Sequence, residues 1–195
     1  MGCVRIHTGW TSISISVRNP SMVDSMYTAS VIGCGRIGSL YDAGRDTSVR
    51  DPLTHAGAYN AHERVRLVAG IDSDEGRRRK FTSQWAAPAY AATEDMLNRV
   101  RPDFWSICTE PASHLELVKI AVKAGARAVW CEKPLATTVG EAVRLLSVCT
   151  EAGVPLVVNH TRRFDAFHQD LALRIRAGEW GKIERVVIHY VRGIA

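Results

Sequence analysis

From residue 28 onward, short apolar runs alternate with amphipathic stretches of helical length, and this alternation narrows the possible folds more than any single motif. The runs are 29–32, 66–71, 104–108, 127–130 and 155–159. The intervening stretches include 94–100, 112–124 and 138–152. In 112–124, Leu115, Val118, Ala121 and Val122 recur on one helical face. In 138–152, Val139, Ala142, Val143, Leu146 and Cys149 recur at the same spacing and predict a buried face. Gly125 and Gly153 follow as helix stops. Runs that are apolar throughout suit strands covered on both faces, and such strands are parallel with right-handed helical crossovers. The fold class is therefore α/β, with a doubly wound parallel sheet.

The first run leads into "GCGRIG", which sets Gly33, Gly35 and Gly38 at the G-x-G-x-x-G spacing, ahead of a helix expected over 36–40. In a strand–turn–helix context the first glycine permits the tight turn. The second lets the backbone approach a pyrophosphate, and the third lets helix and strand pack closely. Phosphates would sit at the helix N-terminus, where free N–H groups and the dipole favour anions. The plainer alternative is a structural glycine turn.

An acidic residue ending the next strand tests between them, since it would accept hydrogen bonds from an adenosine ribose. Asp72 stands there, but 34 residues after Gly38 rather than about 20. Residues 41–54 are polar, hold Gly and Pro, and read as a 14-residue insertion that accounts for the excess. Asp72 favours NAD by repelling a 2′-phosphate. NADP stays open, because an arginine of the run Arg77-Arg78-Arg79-Lys80 could receive that phosphate.

The chain has 195 residues and a formal net charge of +5. Its basic residues are mostly scattered, and the run at 77–80 reads as a solvated face, so nucleic acid is not expected as a partner. Five cysteines form no C-x-x-C pair, which argues against zinc or redox centres and for a reducing, cytoplasmic compartment. No metal site and no membrane span are expected. Residues 1–27 are Ser/Thr-rich and read as a flexible extension.

Two further motifs make the pattern specific. "ICTEPASHLELV" (107–118) is a strand end, a proline turn and a helix start. "WCEKPLATT" (130–138) sets Glu132-Lys133-Pro134 just past the next strand. Together with the glycine turn they resemble the Gfo/Idh/MocA family, over roughly residues 28–195. The resemblance implies a Rossmann-type NAD(P)-binding domain over 28–159. It further implies that 160–195 begin a truncated α/β second domain for substrate binding and oligomerisation.

By the same resemblance, Gly33, Gly35, Arg36, Ile37 and Gly38 would cradle the pyrophosphate and Asp72 the adenosine ribose. Thr109, Pro111 and His114 would line the central part of the cofactor. Glu132 would meet the nicotinamide-side ribose, and Lys133 would stand between nicotinamide and substrate as the catalytic residue. Arg163, in "NHTRRFD", would face the substrate. A positively charged ring beside a lysine disfavours its ammonium form, which suits a group that orients a hydroxyl or moves its proton.

The implied function is NAD(P)-dependent oxidation of a sugar, polyol or related secondary alcohol, by a full-length protein that is a homo-oligomer. The family's usual catalytic Asp and His would fall beyond Ala195, so this chain alone would be catalytically incomplete. A non-catalytic NAD(P)-binding module or sensor subunit is the rival reading. The segment 183–194 is expected to form a strand.

Overall fold

A computed structural model describes residues 4–8, 11–15, 26–44 and 52–189. Six parallel strands form one sheet: β3 (Tyr27–Ile32), β4 (Val65–Ile71), β5 (Ala89–Tyr90), β6 (Phe104–Ile107), β7 (Ala128–Cys131) and β8 (Leu156–Val158). Their spatial order is β5-β4-β3-β6-β7-β8. The chain leaves β3 for one side of the sheet, then returns to β6 and fills the other. That reversal is the topological switch point of a doubly wound fold, and it opens a crevice beyond the strands' C-terminal ends.

The helices are α1 (His55–Ala61), α2 (Glu75–Trp85), α3 (Thr93–Leu97), α4 (His114–Lys123), α5 (Val139–Glu151) and α6 (Ala166–Arg176). Side-chain caps start four of them: Thr54 accepts from the Gly57 N–H, Asp74 from Arg77, Thr138 from Glu141 and Asp165 from His168. The sheet separates two cores. One face buries Trp105, Ile107, Val118 and Leu145, and the other buries Val31, Tyr59, Phe81 and Trp85. Among the described residues no helix is long and apolar enough to cross a membrane.

Four expectations need correction. Residues 36–40 form turns that run into a short 3-10 helix, Leu40–Asp42, rather than an α-helix. The reason is the insertion, across which helical pairing resumes. The Ile37 carbonyl accepts from the His55 N–H at 3.1 Å and the Gly38 carbonyl from Ala56 at 3.0 Å. With 41–54 removed, these become the i→i+4 bonds of one continuous helix.

In α5 the buried residues are Leu145 and Cys149, while Val139, Val143 and Leu146 are exposed. The helix is rolled about a quarter turn from the expected face as it packs against α4 at the sheet's edge.

Residues 183–189 form no strand, and Val186, Val187 and Ile188 are exposed. A strand needs a partner, and none of the described strands pairs with this segment. The rest of that expected strand, 190–194, lies outside the described residues.

Within the N-terminal extension, β1 (Val4–Thr8) pairs antiparallel with β2 (Thr11–Ile15). The period-2 Ile/Ser alternation in "TSISI" is the strand signal that reading it as a flexible extension passed over.

Both described ends of the insertion are tied to Asp42, which is buried. Its carboxylate accepts from the Leu53 and Thr54 N–H groups, each at 3.0 Å, and from the Thr54 hydroxyl. Asp42→Ala strands these donors, and we expect a stability loss of about 2 kcal/mol in urea unfolding. A loss below roughly 0.5 kcal/mol would show that the clamp contributes nothing.

Candidate cofactor site

The glycines have separable physical roles. Gly33 has φ +91°, and a Cβ there would meet the Cys108 carbonyl oxygen at 2.7 Å. A Cβ on Gly38 would lie 2.0 Å from the Gly33 carbonyl oxygen. These two positions let the turn fold back on itself beside β6. Gly35 differs, since a Cβ there meets nothing closer than Arg77 Nη1 at 3.9 Å. Its bare backbone therefore faces open space, as a cradle for a ligand would.

That space is a cleft of about 900 Å³ lined by Gly33, Gly35, Arg36, Ile37, Asp72 and Thr109 of the expected residues. Tyr41, Ser73, Arg77, Ala91–Glu94, Glu110, Ser113 and Leu117 line it too. Asp72 directly follows β4 and is buried, with Oδ2 accepting from the Cys34 N–H and Oδ1 from the Asp74 N–H, both at 2.9 Å. It thereby braces the glycine turn from the neighbouring strand.

The run at 77–80 is more than a solvated face. Arg77 Nη1 lies 3.6 Å from Asp72 Oδ2, and Arg78 donates to the Asp72 and Ser73 carbonyls at 2.8 Å. Cys34, inside the glycine turn, is an inert core thiol. Burial, with the Asp72 carboxylate adding to it, pushes its pKa up to about 12.

The remaining expected residues lie off the cleft wall. Gly38 is buried beneath the turn. Pro111 opens the 3-10 helix Pro111–Ser113 that leads into α4. His114 is fully buried, with Nδ1 3.1 Å from the Leu135 carbonyl and Nε2 3.0 Å from the Thr109 carbonyl. It braces the loops after β6 and β7 from below. Lys133 is exposed just past the end of β7, and Arg163 is exposed in the 3-10 helix Thr161–Arg163 after β8. The six strands of the main sheet are all parallel, so these groups share the edge that bears the cleft.

Glu132 is buried in a polar network that sequence reasoning missed. His55 Nε2 lies 3.0 Å from Glu132 Oε1, and Asn159 Nδ2 donates to the same oxygen. The Lys133 N–H donates to Oε2 at 3.2 Å. His55 Nδ1 pairs with Ser106 Oγ at 2.8 Å, and Ser106 pairs with the Tyr59 hydroxyl at 2.8 Å. Burial works to raise the Glu132 pKa, but the hydrogen bonds from His55 and Asn159 outweigh it and hold the carboxyl below the usual range. Burial likewise pushes the Tyr59 phenol up, which keeps it a hydrogen-bond donor. No local motif marks His55, Ser106 and Asn159, because three separate elements bring them together.

The family model for oxidoreductases with an NAD-binding Rossmann fold matches residues 28–160. The chain belongs to the Gfo/Idh/MocA family. Myo-inositol dehydrogenase Hyg17 of Streptomyces leeuwenhoekii is a relative, 32% identical over 166 residues, which are 84% of this chain and 46% of that protein. D-apiose dehydrogenase of Paraburkholderia graminis is 31% identical over 135 residues, 66% of this chain and 36% of that one. The structure also resembles the WlbA dehydrogenase of Bordetella pertussis, solved in complex with NADH and UDP-GlcNAcA. The TM-score is 0.68 at 26% identity, covering 82% of this chain and 42% of that one. The chain thus spans less than half the length of these relatives.

The glycine geometry separates folding from binding. Gly38→Ala drives a methyl into backbone and should cost about 1–3 kcal/mol in urea unfolding. Gly35→Ala should stay within roughly 0.5 kcal/mol of the wild type. Equal losses in the two variants would refute the distinction.

The depressed Glu132 pKa has a pH signature. Its stabilisation is complete above the unfolded-state value of about 4.3 and is lost as pH falls through the lower folded value. Glu132→Gln should therefore destabilise at neutral pH, with the gap to wild type narrowing below pH ~4. A gap that stays constant with pH would contradict this.

Proposed function

We propose that this chain is the dinucleotide-binding part of an NAD-dependent dehydrogenase that oxidises a sugar, polyol or related secondary alcohol. The observation that carries the reading is the open backbone at Gly35 facing a cleft that Asp72 also lines. Four positions extend the reading along the sheet edge, in the strand order β4, β3, β6, β7: Asp72, the glycine turn, Thr109 and Glu132-Lys133. Three interstrand steps span about 14 Å, which suits an elongated ligand lying across the strand ends. The sugar and polyol class comes from the relatives' activities.

In this reading the N–H groups at Gly35–Ile37 receive the pyrophosphate, with Arg36 adding charge at the rim. Asp72 orients the adenosine ribose, and Glu132 anchors the turn that presents Lys133. Lys133 hydrogen-bonds the substrate hydroxyl and takes part in the departure of its proton, while Arg163 contacts the substrate. The bound dinucleotide supplies the hydride acceptor, and the protein supplies geometry and electrostatics. Cys34, Cys108, Cys131 and Cys149 are free thiols, in keeping with a cytoplasmic setting.

Calorimetric titration with NAD⁺ and NADP⁺ tests the reading. The wild type should prefer NAD⁺, and Gly35→Ala should lose it while remaining folded. Asp72→Ala should gain NADP⁺ affinity, because the repelling carboxylate is gone while Arg77 stays. Tight NAD⁺ binding by Gly35→Ala would sink the reading.

A further inference from the structure

We propose that His55 is a positioning residue of the dinucleotide site, holding the Glu132-Lys133 turn in register with the glycine turn. The inference rests on the dehydrogenase reading above and adds a residue that it does not contain.

His55 makes two attachments at once. Its backbone N–H donates to the Ile37 carbonyl, within the turn expected to hold the pyrophosphate. Its side chain reaches across the sheet to Glu132, whose Oε2 accepts from the Lys133 N–H. One residue thus bridges the glycine turn and the Glu132-Lys133 turn through its own covalent frame.

The hydrogen bonding is directional. An ionised carboxylate only accepts, so the proton on His55 sits at Nε2 and points to Glu132. In the neutral ring Nδ1 is then an acceptor, filled by the Ser106 hydroxyl, which in turn accepts from the Tyr59 hydroxyl. Each donor has one acceptor, so the ring cannot rotate without breaking a buried bond. Trp130 closes one face of the ring, with centroids 4.0 Å apart. His55 is 1% exposed and Glu132 7%, so the protein partners rather than bulk solvent set the carboxylate's orientation.

The alternative is that His55 merely packs. Titration with NAD⁺ and separately with ADP, alongside thermal melts, distinguishes the two, because ADP reaches only the adenosine half of the site. His55→Leu should weaken NAD⁺ roughly tenfold, the scale of one buried hydrogen bond to a charge, and leave ADP within about twofold. His55→Gln, whose amide can still donate to Glu132, should recover most of the loss.

Equal weakening of both ligands, no change in either, or a Gln variant as poor as Leu would overturn the proposal. So would a wild type that holds NAD⁺ no tighter than ADP. If His55→Leu does not fold, Ser106→Ala decides. A loss confined to NAD⁺ supports the proposal, and unchanged NAD⁺ affinity overturns it. A wild type that binds neither ligand removes the dinucleotide reading itself, and the inference with it.

Discussion

The hydrogen bonds from His55 and Ala56 to the carbonyls of Ile37 and Gly38 are the constraint on which the site depends. They splice α1 onto the glycine turn as though the intervening residues were absent. A helix of a doubly wound fold must start against the strand it leaves, because its N-terminal N–H groups form the anion cradle. An insertion within that helix threatens the arrangement. Here the chain exits after one irregular turn, is clamped at Asp42 and Thr54, and re-enters in helical register. Loop entropy rises only slowly with length, so such an excursion is tolerable provided that its ends are pinned.

The splice also decides where His55 falls, and thereby how a buried carboxylate is supported. A carboxylate taken out of water is costly unless its lone pairs are met. Glu132 receives His55 and Asn159 on one oxygen and the Lys133 N–H on the other. A partly satisfied network would be worse than an apolar core, whereas a complete one rigidifies the elements that contribute to it. Helix α1 and the ends of β6, β7 and β8 all contribute. Those strand ends are where positional precision at the nicotinamide end would be needed.

The strand pattern of the Rossmann domain was legible because its strands are buried on both faces and so read as apolar runs. The glycine turn was legible because Gly33 and Gly38 meet steric requirements that only glycine satisfies, with Gly35 completing the spacing. Asp72 was legible once residues 41–54 were set aside. What could not be read is of another kind. The burial of Glu132 against His55 and Asn159 joins residues 27 and 77 positions away from Glu132 and Asn159 from His55 by 104, with no periodicity to announce it. The face of α5 was misjudged because periodicity shows a candidate stripe but not which neighbour receives it. Leu145 and Cys149 meet the core, while Val139, Val143 and Leu146 continue the same apolar periodicity into solvent.

Those exposed residues bear on how the chain meets the rest of the fold. From His160 to His189 every residue except Leu171 and Ala172 is exposed, including Phe164, Phe167 and Trp180. Helix α6 buries none of its side chains. Apolar surface of this extent seldom stays bare on a folded protein. Helices cover both faces of the sheet from β3 to β8, yet exposed apolar side chains already stand on α5 at Val139, Val143 and Leu146, and they multiply after Asn159. Asn159 therefore marks a change in how fully side chains are covered among the described residues. Before it the two faces of the sheet bury their apolar side chains against helices, and from His160 to His189 the large apolar side chains other than Leu171 are exposed.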